Sequence, residues 1–228
     1  VALVGAGGLG SPIALYLAAA GVGTIGLADG DAVDLSNLQR QIAHGTADIG
    51  RSKVESARES VARINPDVKI VPHPERITRD NVKRIFEGYD LVADGSDNFE
   101  TRFLINDACY FLKKPLVSAA MLQFEGQLST YKAFEGDGHP CYRCIFPAPP
   151  PDDVARTCGE AGVLGALAGA MGSLQAVEIL KELLGIGDSL SGQLLIYDAL
   201  YADFRKVKVR PDPECALCGQ SPTITGIG

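Results

Sequence analysis

Tryptophan is missing from the 228 residues, histidine occurs three times, and carboxylates outnumber cations. Twenty-one Lys and Arg against 28 Asp and Glu leave a formal charge of −7. Without a basic excess to neutralise a phosphate backbone, a dedicated nucleic-acid binder is disfavoured. His44, His73 and His139 are scattered, with no spacing suggestive of a metal site. A membrane-spanning run is also missing. The most apolar stretch, residues 161–177, is glycine-rich, is interrupted by Ser173 and Gln175, and runs into Glu178, Lys181 and Glu182. Val1 follows neither an initiator Met nor a charged leader, so a short native segment is expected ahead of it. These absences point to a cytoplasmic, reducing-compartment protein with neither a membrane nor a nucleic-acid partner.

What remains is globular material. Hydrophobic residues make up 46% and charged residues 21%, enough apolar content for a sizeable core. Twenty-six glycines imply close-packed backbone and tight turns. The length suits one large α/β domain or two small ones.

Along the chain, residues 1–4 form a short apolar run ending in Gly5, followed by Gly7, Gly8 and Gly10. Residues 11–20 read as a helix, with Pro12 tolerated in its first turn and Gly21 as its stop. A second apolar run, 24–28, closes at Asp29, completing a βαβ unit. Helices are expected over 53–64, 81–86 and 101–112, and strands over 68–71, 91–93 and 116–119. Residues 127–134, 193–197 and 204–209 alternate like half-buried antiparallel strands, and 163–184 reads as a long helix. The expected fold is α/β: a Rossmann-like sheet, parallel in residues 1–120 and antiparallel in 121–228, forming one domain.

Gly5, Gly7 and Gly10 satisfy G-x-G-x-x-G between a strand and a helix, with Asp29 beyond. Such glycines let backbone approach a phosphate at a helix N-terminus, and the acid receives ribose hydroxyls. This motif alone leaves a nicotinamide-dependent oxidoreductase open. Downstream, Ser36-Asn37-Leu38-Gln39-Arg40 and Gly50-Arg51-Ser52-Lys53 add cations, and Asp97 follows a buried strand within Asp94-Gly95-Ser96-Asp97-Asn98. Triphosphate chemistry needs cations for the leaving pyrophosphate and a carboxylate for Mg²⁺, whereas hydride transfer needs neither. Singly, each has a plainer explanation: Arg40 and Lys53 as solvated charges, Asp97 as the cap of the next helix.

Four of six cysteines form two C-x-x-C pairs, Cys141/Cys144 and Cys215/Cys218. Four thiolates suit tetrahedral Zn²⁺ with no position left for water, a structural site joining distant parts of the chain. Cys109 falls inside an expected helix and reads as a core thiol.

G-A-G-G-L-G, L-S-N-L-Q-R, G-R-S-K, D-G-S-D-N, C-Y-R-C and C-A-L-C together resemble the E1-like MoeB/ThiF family, relatives of ubiquitin-activating enzymes. The likeness covers essentially the whole chain and is greatest to the molybdopterin-synthase adenylyltransferase branch. It implies ATP-dependent adenylation of a ubiquitin-like sulfur carrier protein at its C-terminal Gly-Gly, with release of pyrophosphate. By the same resemblance, Gly8, Asn37, Arg40 and Lys53 lie at the nucleotide phosphates. Asp29 binds the ribose, Ser36, Gly95 and Ser96 lie beside the nucleotide, and Asp97 holds Mg²⁺. A homodimer and a rhodanese-type sulfur donor are implied partners, and molybdopterin, thiamin and tRNA thiolation are all open as pathways. Cys158, near Arg156 and ahead of a helix, matches a thiol that some relatives use in sulfur transfer and others lack. A tRNA-modifying dehydratase is the alternative on the same fold, and a non-catalytic carrier-binding subunit is the alternative without chemistry.

Overall fold

The computed structural model describes residues 1–136, 138–150 and 162–227. Eight strands among these residues form one sheet: β1 (Ala2–Val4), β2 (Thr24–Ala28), β3 (Lys69–His73), β4 (Val92–Asp94), β5 (Leu116–Leu122), β6 (Glu125–Tyr131), β7 (Gln193–Asp198) and β8 (Asp203–Lys208). Their spatial order is β3-β2-β1-β4-β5-β6-β7-β8. The first five are parallel, and from β5 onward every pairing is antiparallel. The parallel-then-antiparallel sheet expected from the patterning is therefore present.

Among the described residues, six α-helices accompany it: α1 (Gly10–Ala19), α2 (Lys53–Ile64), α3 (Val82–Phe86), α4 (Phe99–Leu112), α5 (Tyr142–Ile145) and α6 (Gly165–Leu184). Successive residues of a strand point to opposite faces, and the β1 run builds two cores at once. Leu3 packs with Ile13, Leu17, Val54, Leu167 and Ile179 on the face covered by α1, α2 and α6. Ala2 and Val4 pack with Ile85, Phe86, Phe103 and Ile105 on the face covered by α3 and α4. Burying each such Leu, Ile or Phe contributes about 1.5–3 kcal/mol, which is what holds strands as short as β1 and β4 in register.

Cys109 lies buried in the second of these cores, and burial pushes its thiol pKa well up. It is the core thiol the helix pattern predicted.

β1 and β4 are neighbours although the chain enters β2 and β3 between them. The strand order reverses there, and ligands of open α/β sheets bind in the crevice beyond the carboxyl ends at such a reversal. Both the glycine turn after Val4 and the segment after Asp94 leave the sheet at this point.

Candidate functional site

The glycine turn is held by contacts from three directions. A Cβ on Gly10 would stand 1.8 Å from the Gly5 carbonyl oxygen, so only glycine allows the helix to start so close to the strand. The Ala6 N–H donates to Asp29 Oδ2 at 2.8 Å, and the Asp31 N–H donates to Asp29 Oδ1 at 2.8 Å. Asp29 thus shapes the turn while standing where a ribose-binding acid is expected. On the other side, His44 Nε2 lies 2.9 Å from the Ala6 carbonyl and Nδ1 lies 2.8 Å from Ser56 Oγ. A carbonyl only accepts, so Nε2 carries the proton and Ser56 donates to Nδ1. Burial lowers the His44 pKa, which favours this neutral ring.

Arg40, one of the expected phosphate contacts, stands beside Gly8. The Gly8 Cβ position lies 3.1 Å from both Met121 Cε and Ala168 Cβ and 3.6 Å from Arg40 Cγ, so a side chain would fill the cradle. Arg40 Nη1 donates to the Ser36 carbonyl at 3.2 Å. Asn37 Nδ2 donates to Ser36 Oγ at 3.1 Å and Gln41 Nε2 to Asn37 Oδ1 at 3.2 Å, giving a chain of polar groups along this wall. Lys53 opens α2 with its side chain only 8% exposed and Nζ 3.1 Å from Asp31 Oδ2, while Arg76 reaches Asp31 Oδ1 at 3.0 Å. Partial burial pushes Asp31 up, but the hydrogen bonds from Arg76 and Lys53 outweigh it and hold the carboxyl below its ordinary value.

The segment after β4 is anchored by Asp94, which is 1% exposed. Asp94 Oδ1 accepts from the Ser96 N–H at 2.9 Å, and Oδ2 accepts from Ser118 Oγ at 2.8 Å. Gln175 of α6 donates to the carbonyls of Asp94 and Val117 at 2.8 and 3.0 Å. The Ser96 hydroxyl is buried without a partner among the described residues, the condition of a group arranged for a ligand. Asn98, not Asp97, caps α4 by accepting from the Thr101 N–H at 2.9 Å. That capping role is filled, and Asp97 stays exposed at the crevice.

A cleft of about 220 Å³ opens beside these groups, lined among others by Asp97, Arg102, Met121, Leu128, Tyr131 and Tyr142. Met121 touches both the cleft and the Gly8 cradle, so the two spaces adjoin.

The four paired cysteines come together, their sulfurs all within 4.8 Å of one another. Cys141 lies 3.9 Å from Cys144 and 3.5 Å from Cys215, and Cys218 lies 3.4 Å from both Cys141 and Cys144. Tetrahedral thiolates around zinc stand about 3.8 Å apart, given Zn–S of about 2.3 Å, so the set fits a structural zinc ion. These separations are too long for S–S bonds. Sulfur contacts from Cys141 and Cys218 favour the Cys144 thiolate and pull its pKa far down. The Asp212 N–H also points at Cys144 Sγ, 3.4 Å away. Between the first pair, α5 is fixed by the Tyr142 N–H donating to Asn106 Oδ1 at 2.8 Å and by a forked Arg143–Asp107 pair at 2.7 Å. The Cys141–Cys144 knuckle therefore delivers Tyr142 to the cleft wall.

The ThiF family profile matches residues 1–217. The chain belongs to the ThiF family. The sulfur carrier protein adenylyltransferase of Thermus thermophilus is 50% identical over 225 residues, covering 98% of this ThiF-family chain and 83% of that protein. The adenylyltransferase and sulfurtransferase MOCS3 of Aedes aegypti is 50% identical over 226 residues, covering 99% of this chain and 51% of that protein. The chain thus spans about half the length of the MOCS3 relatives it matches. Among solved structures, E. coli MccB superposes with a TM-score of 0.84 at 19% identity, over 96% of this chain and 65% of that one. A structure of MccB with ATP superposes at 0.81, also at 19% identity and over 96% and 65%. At that identity the likeness is one of fold.

Gly8 follows β1, Asp29, Ser36, Asn37 and Arg40 follow β2, Lys53 opens α2, Gly95, Ser96 and Asp97 follow β4, and the four paired cysteines form one cluster. Cys158 lies outside the described residues. Sequence reasoning passed over His44, Asp94, Ser118 and Arg102. Arg102 had a signal, since it follows Asn98 by four positions on the first turn of a capped helix. His44 had none, because its partners are 38 and 12 positions away.

Proposed function

We propose that this chain adenylates the C-terminal Gly-Gly carboxylate of a ubiquitin-like sulfur carrier protein with ATP and releases pyrophosphate. The observation that carries the reading is the cleft that adjoins the Gly8 cradle through Met121, with Asp97 beside it. A narrow cleft meeting a phosphate cradle suits an extended, small-residue tail delivered to a nucleotide. The names of the Thermus thermophilus and MOCS3 relatives point the same way.

In the reaction a carboxylate oxygen attacks the α-phosphorus, and the bond to the β-bridging oxygen breaks. The electron pair leaves with pyrophosphate, and an acyl adenylate remains. Gly8, Asn37, Arg40 and Lys53 bind the phosphates, and Asp29 and Ser96 orient the nucleoside. Arg40 and Lys53 lower the barrier by electrostatic stabilisation of charge on the phosphates, without moving a proton. Asp97 would hold a Mg²⁺ ion, which neutralises the phosphate oxygens when bound. Residues 1–120 act as the nucleotide half and 121–228 as the carrier half. A homodimer, a rhodanese-type sulfur donor, sulfur transfer through Cys158 and a cytoplasmic location complete the proposal. No helix among the described residues is long and apolar enough to cross a membrane.

Carrier-dependent pyrophosphate exchange, with mass spectrometry of the carrier for an added AMP, tests the reaction. Asp97→Ala is expected to lower exchange at least about 100-fold while keeping the melting temperature, because Asp97 is exposed and caps nothing. Unchanged exchange in that variant overturns the assignment of Asp97, and no exchange by the native chain with any sulfur carrier overturns the function.

A further inference from the structure

Among the described residues, Arg102 is the only cation lining the cleft, and the two carboxylates there, Asp97 and Glu125, are exposed. It is itself only 8% exposed. Its described direct contacts are neutral. Nη2 donates to the Ser96 carbonyl at 3.0 Å, and the guanidinium carbon lies 5.5 Å from the centre of the Phe99 ring. It also neighbours the Tyr142 hydroxyl, whose burial-driven pKa rise it opposes. No carboxylate pairs with it among the described residues, and its Nε is buried without an acceptor. Arg143 provides the contrast: on the next face of the same region, its fork is filled by Asp107 at 2.7 Å.

A guanidinium removed from water without a counter-charge is costly to keep, and a forked donor is matched by a carboxylate. The substrate tail brings one, and it must approach a nucleotide that is itself strongly negative. We propose that Arg102 binds the terminal carboxylate of the carrier tail and sets the cleft's preference for a free C-terminus. The proposal rests on the adenylation reading above. Through its bond to the Ser96 carbonyl, the same guanidinium ties the carboxylate's position to the segment bearing Ser96 and Asp97. Once the acyl adenylate forms, the carboxylate charge is gone and this attraction weakens.

The test uses a carrier that the native chain adenylates, prepared in two forms, free carboxylate and C-terminal carboxamide, with binding measured without ATP by calorimetry. The native chain is expected to bind the carboxylate form about tenfold tighter, equivalent to about 1.4 kcal/mol. Arg102→Met is expected to bind both forms alike, and Arg102→Lys to recover part of the preference. A purely structural role would weaken both forms equally and leave the ratio standing. A tenfold preference that persists in Arg102→Met overturns the proposal. If that variant does not fold, equal affinity of the native chain for the two forms overturns it with no variant required. A chain that adenylates no carrier overturns the function beneath it, an outcome distinct from either.

Discussion

His44 carries no chemistry, yet it fixes the carbonyl of Ala6 in the middle of the phosphate-binding turn. His44→Ala removes two buried hydrogen bonds and leaves the Ala6 carbonyl without that donor, a loss of about 2 kcal/mol. Burial lowers the pKa of the folded ring below the ordinary histidine value, so the unfolded chain takes up a proton that the folded chain resists. Stability from this group is complete above about pH 6.5 and declines as pH falls below it toward the folded pKa. His73, also lowered by burial, adds a slope of the same sign. Thermal melts between pH 5 and 8 should show the native chain losing stability on the acid side, with a shallower loss in His44→Ala. Equal slopes would remove His44 from the account. At this scale the sequence marked the candidate nucleotide-binding groups, because glycines, cations and an acid at strand ends have a recognisable spacing. It hid the groups that hold them, since the His44–Ala6 and Asp94–Ser118 contacts join positions 38 and 24 apart with no pattern between.

Among the elements, α6 does more than cover the sheet. Its Glu178, 2% exposed, accepts from Thr130 Oγ1 at 3.0 Å, Lys181 Nζ at 2.5 Å and the Leu190 N–H at 2.6 Å. One carboxylate thereby fastens the helix to β6 and to the turn that enters β7. Glu178→Ala leaves a buried hydroxyl and a buried amide without their acceptor and unpairs the partly exposed Lys181, and should cost about 2–4 kcal/mol in urea denaturation. A loss under about 1 kcal/mol would mean that water or neighbours replace the carboxylate. One helix was legible to the residue: α2 runs over the expected 53–64, closed by Asn65-Pro66. Ends set by local chemistry were less so. α4 begins two residues earlier than its apolar pattern because Asn98 caps it. β5 continues to Leu122 because the hairpin turns at Gln123, a non-glycine residue at φ 52°. α5 was missed, since four residues that begin inside a C-x-x-C pair and run one past it are too few to display a period.

For the whole molecule, the cysteine cluster is the longest-range fastening in the second half: Cys141 and Cys215 are 74 positions apart, as are Cys144 and Cys218. Spacing within each pair announced a metal site, but only folding shows what it fastens. α5 sits on α4 through Asn106 and Asp107, and the segment after β8 returns to close the set. Metal binding at such a site contributes folding free energy directly, because the unfolded chain cannot preform it. The isolated chain is therefore expected to carry one zinc ion per chain by elemental analysis. Chelation, or Cys218→Ser, should lower the melting temperature by at least about 10 °C. The glycine turn lies outside the cysteine cluster, although both cores span the two halves: Leu3 shares one with Leu167 and Ile179, and Val4 shares the other with Tyr131 and Tyr142. ATP affinity should consequently outlast the metal, whereas carrier affinity should fall with it, since α5 places Tyr142 in the cleft wall. A metal-free chain that melts like the native protein would make the cluster four buried thiols and no more. Loss of ATP and carrier affinity in step would mean that the two halves of the sheet fold as one unit.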